Sequence, residues 1–176
     1  MKKVSFRSFA FKDCIHNLYR EKRIIMSAMA VEPLREDEIS YWFRKGNEFL
    51  RSSRFREAAE SFDKAIQIDP KNADAWNHRG LALASLNRFE EAARSFDRAC
   101  KADPSHPDAW YNNGLVLCAL ERYEAAVMSF EKALEINPQN AHAWHNKGVA
   151  LSRLGLDAQA RFAFSCAGWI GLHGGV

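Results

Sequence analysis

The stretch Asp108–Asn140, DAWYNNGLVLCALERYEAAVMSFEKALEINPQN, superimposes on the rest of the chain when it is moved by 34 residues. Trp110 falls on Trp76, Gly114 on Gly80, Ala126 on Ala92, Phe130 on Phe96, Ala133 on Ala99 and Pro138 on Pro104. A further step back gives Trp42, Gly46, Ala58, Phe62, Ala65 and Pro70. A step forward gives Trp144, Gly148, Ala160, Phe164 and Ala167, with Leu172 where the proline would stand. Four copies therefore occupy residues 39–72, 73–106, 107–140 and 141–176, behind a segment of different character at residues 1–38. A unit of this length cannot bury its apolar face alone, so the copies must stack on one another.

Each unit divides into two helices. With Ile39, Ala73, Pro107 and Ala141 as position 1, apolar or small residues recur at positions 4, 8 and 11, as in Trp76, Gly80 and Leu83. That is the i, i+4, i+7 spacing of one helix face. A second periodic run follows, Phe89, Ala92, Phe96 and Ala99 in the second unit and Tyr123, Ala126, Phe130 and Ala133 in the third. The joints between the runs, LNRFEE and LERYEA, are so short that the two helices must fold back antiparallel. The second helix should stop at the proline of IDP, ADP or INP, because proline disfavours helical backbone in the residue before it. Pro107 suits a first helical turn, and Asp74 and Asp108 complement the dipole there. The glycine at position 8 and the alanines at positions 20 and 27 let the helices approach, with Trp and Phe filling the space around them.

Bulk properties narrow the function. Net charge is +3, and the excess sits in residues 1–30, where Lys2, Lys3, Arg7, Lys12, Arg20, Lys22 and Arg23 face only Asp13 and Glu21. The near-neutral repeats do not present the phosphate-binding surface that nucleic acid requires. Cys14, Cys100, Cys118 and Cys166 have no CxxC or paired spacing, which argues against a disulfide framework and fits a reducing, cytoplasmic setting. No uncharged apolar run reaches the ~20 residues of a membrane span. The run from Phe162 to Val176 is broken by Gly168, Gly171, His173, Gly174 and Gly175. Residues 1–38 read as a basic extension followed by an acidic linker (Pro33, then Arg35, Glu36, Asp37 and Glu38). Three readings of the extension stay open: an extra helix covering the end of the stack, a targeting segment, or a translated stretch upstream of Met26 or Met29.

Tryptophan at position 4, glycine at 8, an aromatic at 17, alanine at 20, phenylalanine at 24, alanine at 27 and proline at 32 form a pattern similar to the tetratricopeptide repeat. In the third unit these are Trp110, Gly114, Tyr123, Ala126, Phe130, Ala133 and Pro138. The resemblance covers roughly 140 residues and implies an all-α, right-handed helical solenoid of four helix pairs. It also implies a concave groove, lined by the first helices, that binds a partner peptide or protein without catalysis or cofactor. Two departures stand out. Position 7, usually leucine, is Lys45, Arg79, Asn113 and Lys147, whose stems are expected to pack while their charges reach solvent. In the last unit Asp157 replaces the aromatic, and Arg161 and Gly168 are expected to interrupt the second helix. With no capping helix following, that C-terminal face offers an alternative role as a self-associating structural protein, a homodimer through Trp169 and Ile170.

Positions 2, 6, 9 and 13 lie opposite the core stripe at 100° per residue. They define the candidate peptide-binding residues: Asp74, Asp108 and His142 at position 2, His78, Asn112 and Asn146 at position 6, and Asn47, Leu81, Leu115 and Val149 at position 9. The carboxamides of Asn112 and Asn146 can each donate to and accept from an extended peptide backbone whatever its sequence. The competing expectation for Leu81, Leu115 and Val149 is simple packing between neighbouring helices. The Lys/Asn/Arg clamp by which some tetratricopeptide domains hold a terminal carboxylate is not here: of its five positions only Asn47, or in the other frame only Asn112, matches. His142 and His145 are three apart but lack a third ligand, so no metal site is expected. Arg54, Arg88 and Arg122 recur at the joints, where pairing with Glu57, Glu90, Glu91 and Glu124 is the simpler expectation than a basic column. No nucleophile or phosphate-loop motif is present, and no catalytic residue is assigned.

Overall fold

The structure, a computed structural model, describes residues 36–173. The three readings of the basic extension lie outside these residues. Within them are eight helices and no strand. They are α1 (36–51), α2 (Phe55–Ile68), α3 (Ala73–Ser85), α4 (Phe89–Ala102), α5 (Pro107–Ala119), α6 (Tyr123–Ile136), α7 (Ala141–Arg153) and α8 (Asp157–His173). Glu36, Asp37 and Glu38, expected in the linker, are already helical.

The turn inside each pair is the same. Ser53, Asn87, Glu121 and Gly155 take positive φ values of 59°, 59°, 57° and 73°. In the second unit Asn87 N–H donates to the Ala84 carbonyl and Arg88 N–H to the Leu83 carbonyl, and the other three turns repeat both bonds. This left-handed closure satisfies the last carbonyls of the first helix and reverses the chain in three residues. The corner between pairs is built differently. Asp69, Asp103 and Asn137, each preceding a proline, leave the helix with φ between −128° and −135°. Their side-chain oxygens accept the N–H groups of Lys71, Ser105 and Gln139 at 3.0, 2.9 and 3.2 Å, closing an Asx turn around the proline. Two or three residues later Asn72, His106 and Asn140 cap the next helix, accepting the N–H groups of Ala75, Ala109 and Ala143.

The tryptophan and the proline of the repeat are coupled through this corner. Trp76, Trp110 and Trp144 donate their indole N–H to the carbonyls of Pro70, Pro104 and Pro138 at 2.9, 3.0 and 2.9 Å. A hydrogen bond of this kind contributes about 1 kcal/mol net. Trp110→Phe, which also gives up apolar area, is expected to lower stability by about 1–2 kcal/mol in a urea melt. A loss no greater than 0.3 kcal/mol would separate the indole from the corner's stability.

From α2 onward each helix packs against the next, and the first helices also touch across units, α3 on α5 and α5 on α7. Among the described residues the second helices make no such contact, so the first helices form the closer, inner row. Phe62, Phe96 and Phe130 are at most 1% exposed and sit between their own first helix and that of the next unit. The last unit departs from expectation. Arg161 and Gly168 do not interrupt α8, which runs 17 residues against 14 in α2, α4 and α6. One glycine costs a helix only about 1 kcal/mol, and Leu172 in place of proline lets the helix continue.

Candidate functional site

The inner row presents the position 2, 6 and 9 residues, but not as an even outward stripe. Position 2 is open: Asp74, Asp108 and His142 are exposed. Asp74 is also tied to the neighbouring corner, its Oδ1 3.2 Å from His106 Nε2. His106 Nδ1 accepts the capping N–H, so Nε2 is the ring's donor. At position 9 Leu115 and Val149 are each 37% exposed, whereas Leu81 is half-buried against the core and Asn47 is half-buried on α1. The apolar strip is therefore strongest in the last two units.

Position 6 turns sideways onto the preceding unit. The His78 ring lies edge-on to Phe43, with centroids 4.9 Å apart, and 5.5 Å from Phe62. Asn112 Nδ2 donates to Asn77 Oδ1 at 3.0 Å, and Asn146 Nδ2 donates to the Tyr111 hydroxyl at 3.0 Å. Each rung joins position 6 to position 5 of the unit before, and none of the three position 6 residues faces solvent fully. One N–H of each carboxamide is committed to its rung. Its second N–H and its oxygen stay available, held in a fixed orientation. Burial pushes the Tyr111 hydroxyl pKa up, with the hydrogen bond from Asn146 working against that rise. Position 5 (Phe43, Asn77, Tyr111) was legible only as half of a pair 35 residues apart.

Two of the three position 7 charges, Arg79 and Lys147, do not run free into solvent as expected. Arg79 donates from Nε to Asp63 Oδ1 and from a terminal guanidinium nitrogen to Ser95 Oγ at 2.7 Å. Lys147 pairs with Glu131 at 2.8 Å, and buried Asn113 donates to Ser129 Oγ at 3.4 Å. Each partner lies on a second helix, so these groups clamp helix to helix and stay out of the groove. At the joints Arg54 pairs with Glu57 and Arg88 with Glu91, which removes those two arginines from any basic column. The hydrogen bonds from Arg88 hold the Glu91 carboxyl below its ordinary range.

Cys100 is buried, and burial followed by the nearby Asp97 charge pushes its thiol up to about 12, so it stays protonated at neutral pH. Among the described residues no three His, Cys, Asp or Glu side chains converge to hold a metal, and no helix is long and apolar enough to cross a membrane. An open cavity of about 320 Å³ lies between α7 and α8, lined by Trp144, Lys147, Leu151, Gln159, Phe162 and Ala163.

Two sequence models described as tetratricopeptide repeat match the chain, one over residues 43–107 and 79–141, the other over residues 129–162. The search of curated proteins returned no match. Among solved structures the chain is similar to MamA at 24% identity and a TM-score of 0.73, covering 76% of this chain and 78% of that one. It is similar to the first tetratricopeptide domain of Spaghetti (RPAP3) bound to an HSP90 peptide, at 24% identity and a TM-score of 0.66, covering 68% and 94%. It is also similar to YrrB, described as a tetratricopeptide protein with an unusual peptide-binding site, at 25% identity and a TM-score of 0.66, covering 72% and 65%. The matched models span more than half of the chain, the helix pairs repeat with the spacing those models describe, and the fold is shared with solved members: the chain belongs to the tetratricopeptide-repeat family.

Proposed function

We propose that this chain is a non-catalytic interaction module that holds an extended peptide segment of a partner protein along the inner row. The observation that carries this reading is the recurrence, one unit apart, of the sets Asp108, Asn112, Leu115 and His142, Asn146, Val149. Each set offers a charged or polar rim, a carboxamide oriented by its rung, and an apolar side chain more than a third exposed. A carboxamide pairs with peptide N–H and C=O groups, which every sequence has, and the apolar strip selects among side chains. Two structural relatives are described as peptide binders, which supports the general mode. The clamp residues for a terminal carboxylate are missing, so the segment bound is an internal one. The partner is a protein rather than nucleic acid because the repeats carry no basic excess.

The test is a peptide array probed with the wild-type chain and with the Asn112→Ala, Asn146→Ala double variant. Two lost hydrogen bonds at about 0.5–1.5 kcal/mol each predict binding weakened on the order of 10- to 100-fold. Thermal melts of both proteins check that the rungs' loss leaves the fold in place. Unchanged capture by a folded double variant removes the groove as the binding surface.

A further inference from the structure

Every internal junction follows one register. Position 3 of a first helix meets position 28 of the preceding second helix, as Ala75 meets Ile66 and Ala109 meets Cys100. Position 7 meets position 25, as Arg79 meets Asp63 and Lys147 meets Glu131. Antiparallel helices matched at those two levels bring position 10 onto position 21 one turn further along. The apolar clusters agree, uniting Ala59 with Ala82, Ala93 with Val116, and Val127 with Ala150.

The two ends of the stack hold the same register positions with their chemistry exchanged. On α1, position 3 is Tyr41, 44% exposed, where the later units have alanines of 0% exposure. Position 10 is exposed Glu48, where the later units have buried Ala82, Val116 and Ala150. On α8, position 28 is Gly168 instead of Ile66, Cys100 or Leu134, and a Cβ built there would meet nothing within 4 Å. Position 21 is exposed Arg161 instead of Ala59, Ala93 or Val127. Between these two lies Phe164, 37% exposed where its three counterparts are at most 1%. Inside the stack a small residue on the first helix meets a larger one on the second; at the ends the sizes are inverted. A pair of apolar residues has likewise become an acid on one end and a base on the other.

From this we infer that the α8 end of one copy accepts the α1 end of a second copy, head to tail, in the register of the internal junctions. Tyr41 of the second copy fills the space over Gly168, Glu48 meets Arg161, and Phe164 is covered. Pairing of two C-terminal faces with each other supplies neither a Tyr41 for the space over Gly168 nor a Glu48 for Arg161. A head-to-tail contact that repeats the internal register extends the stack of helix pairs, so it generates chains of copies rather than dimers.

Sedimentation of the full chain over a range of concentrations tests this. The expected result is a mass that climbs past that of a dimer with concentration and falls back as salt screens the Glu48–Arg161 pair. Arg161→Glu alone and Glu48→Arg alone each weaken association roughly tenfold or more, and an equimolar mixture of the two variants recovers it. Gly168→Trp blocks stacking while leaving the melt unchanged at concentrations where both proteins are monomeric, because the space it fills is outside its own fold. A monomer at every concentration, as when another segment of the chain covers either face, overturns the inference. So does a species that stops at dimer, or association indifferent to the charge exchange.

Discussion

Phe130→Ala lowers the free energy of unfolding by about 3–5 kcal/mol, the range for deleting a fully buried phenylalanine. Phe130 has 0% exposure and packs with Leu117 and Ala126 of its own unit and with Ala150 of the next. Its removal opens a cavity that small neighbours cannot fill, since Gly114 has no side chain and the Ala126 methyl has no torsion that would carry it in. The Tyr111 ring, tilted with its centroid 6.0 Å away, loses its partner too, and with it the anchor of the Asn146 rung. Urea denaturation measures the loss directly. Phe164→Ala supplies the comparison at the same repeat position, and its exposed ring predicts a clearly smaller effect. A loss below about 1 kcal/mol at Phe130 is incompatible with its place in the core.

Gly114→Ala is expected to be the next most damaging, by about 1–3 kcal/mol, because it overfills the same packing. A Cβ at Gly114 would stand 2.5 Å from Cε1 and 2.7 Å from Cδ1 of Phe130, and a ring with no exposed surface has nowhere to retreat. Helix propensity pulls the other way, since alanine is favoured over glycine by about 1 kcal/mol in a helix interior. The clash must win for the net effect to be destabilising. Gly148→Ala decides whether that reasoning is sound. Its Cβ would also meet a ring, Phe164 at 2.7 Å, but that ring is 37% exposed and can swing outward. Urea melts should therefore show Gly114→Ala well below wild type and Gly148→Ala close to it. Equal losses at the two sites would mean that the Phe164 ring, despite its exposure, is held as firmly as that of Phe130.

The fold was legible because the landmarks that pack are the landmarks that repeat: Trp110, Gly114, Phe130 and Pro138 each have counterparts at a fixed spacing. The geometry of the candidate site was legible in part. A helical wheel treats one helix by itself and correctly leaves Leu115 and Val149 open, but Asn112 and Asn146 sit at the edge where a second unit begins. Their partners, Asn77 and Tyr111, lie 35 residues back, outside any single-helix window. Arg79 was misread for the same reason. Its carboxylate is 16 residues before it and its serine 16 after, and only the stacked structure brings both to one guanidinium. At α8 the opposite holds: the local preference of Gly168 is overridden by a 17-residue helix packed along α7.

The rungs between positions 5 and 6 have a further consequence. Among the described residues no backbone hydrogen bond reaches beyond a corner, so away from the corners units are joined by side chains. Stability is then passed from neighbour to neighbour, and the stack opens from its ends inward. Each end unit that opens takes one rung with it, the first releasing the His78 ring and the last the Asn146 carboxamide. A bound segment would accordingly be released by peeling, one unit at a time, with the Asn77–Asn112 rung among the last to part.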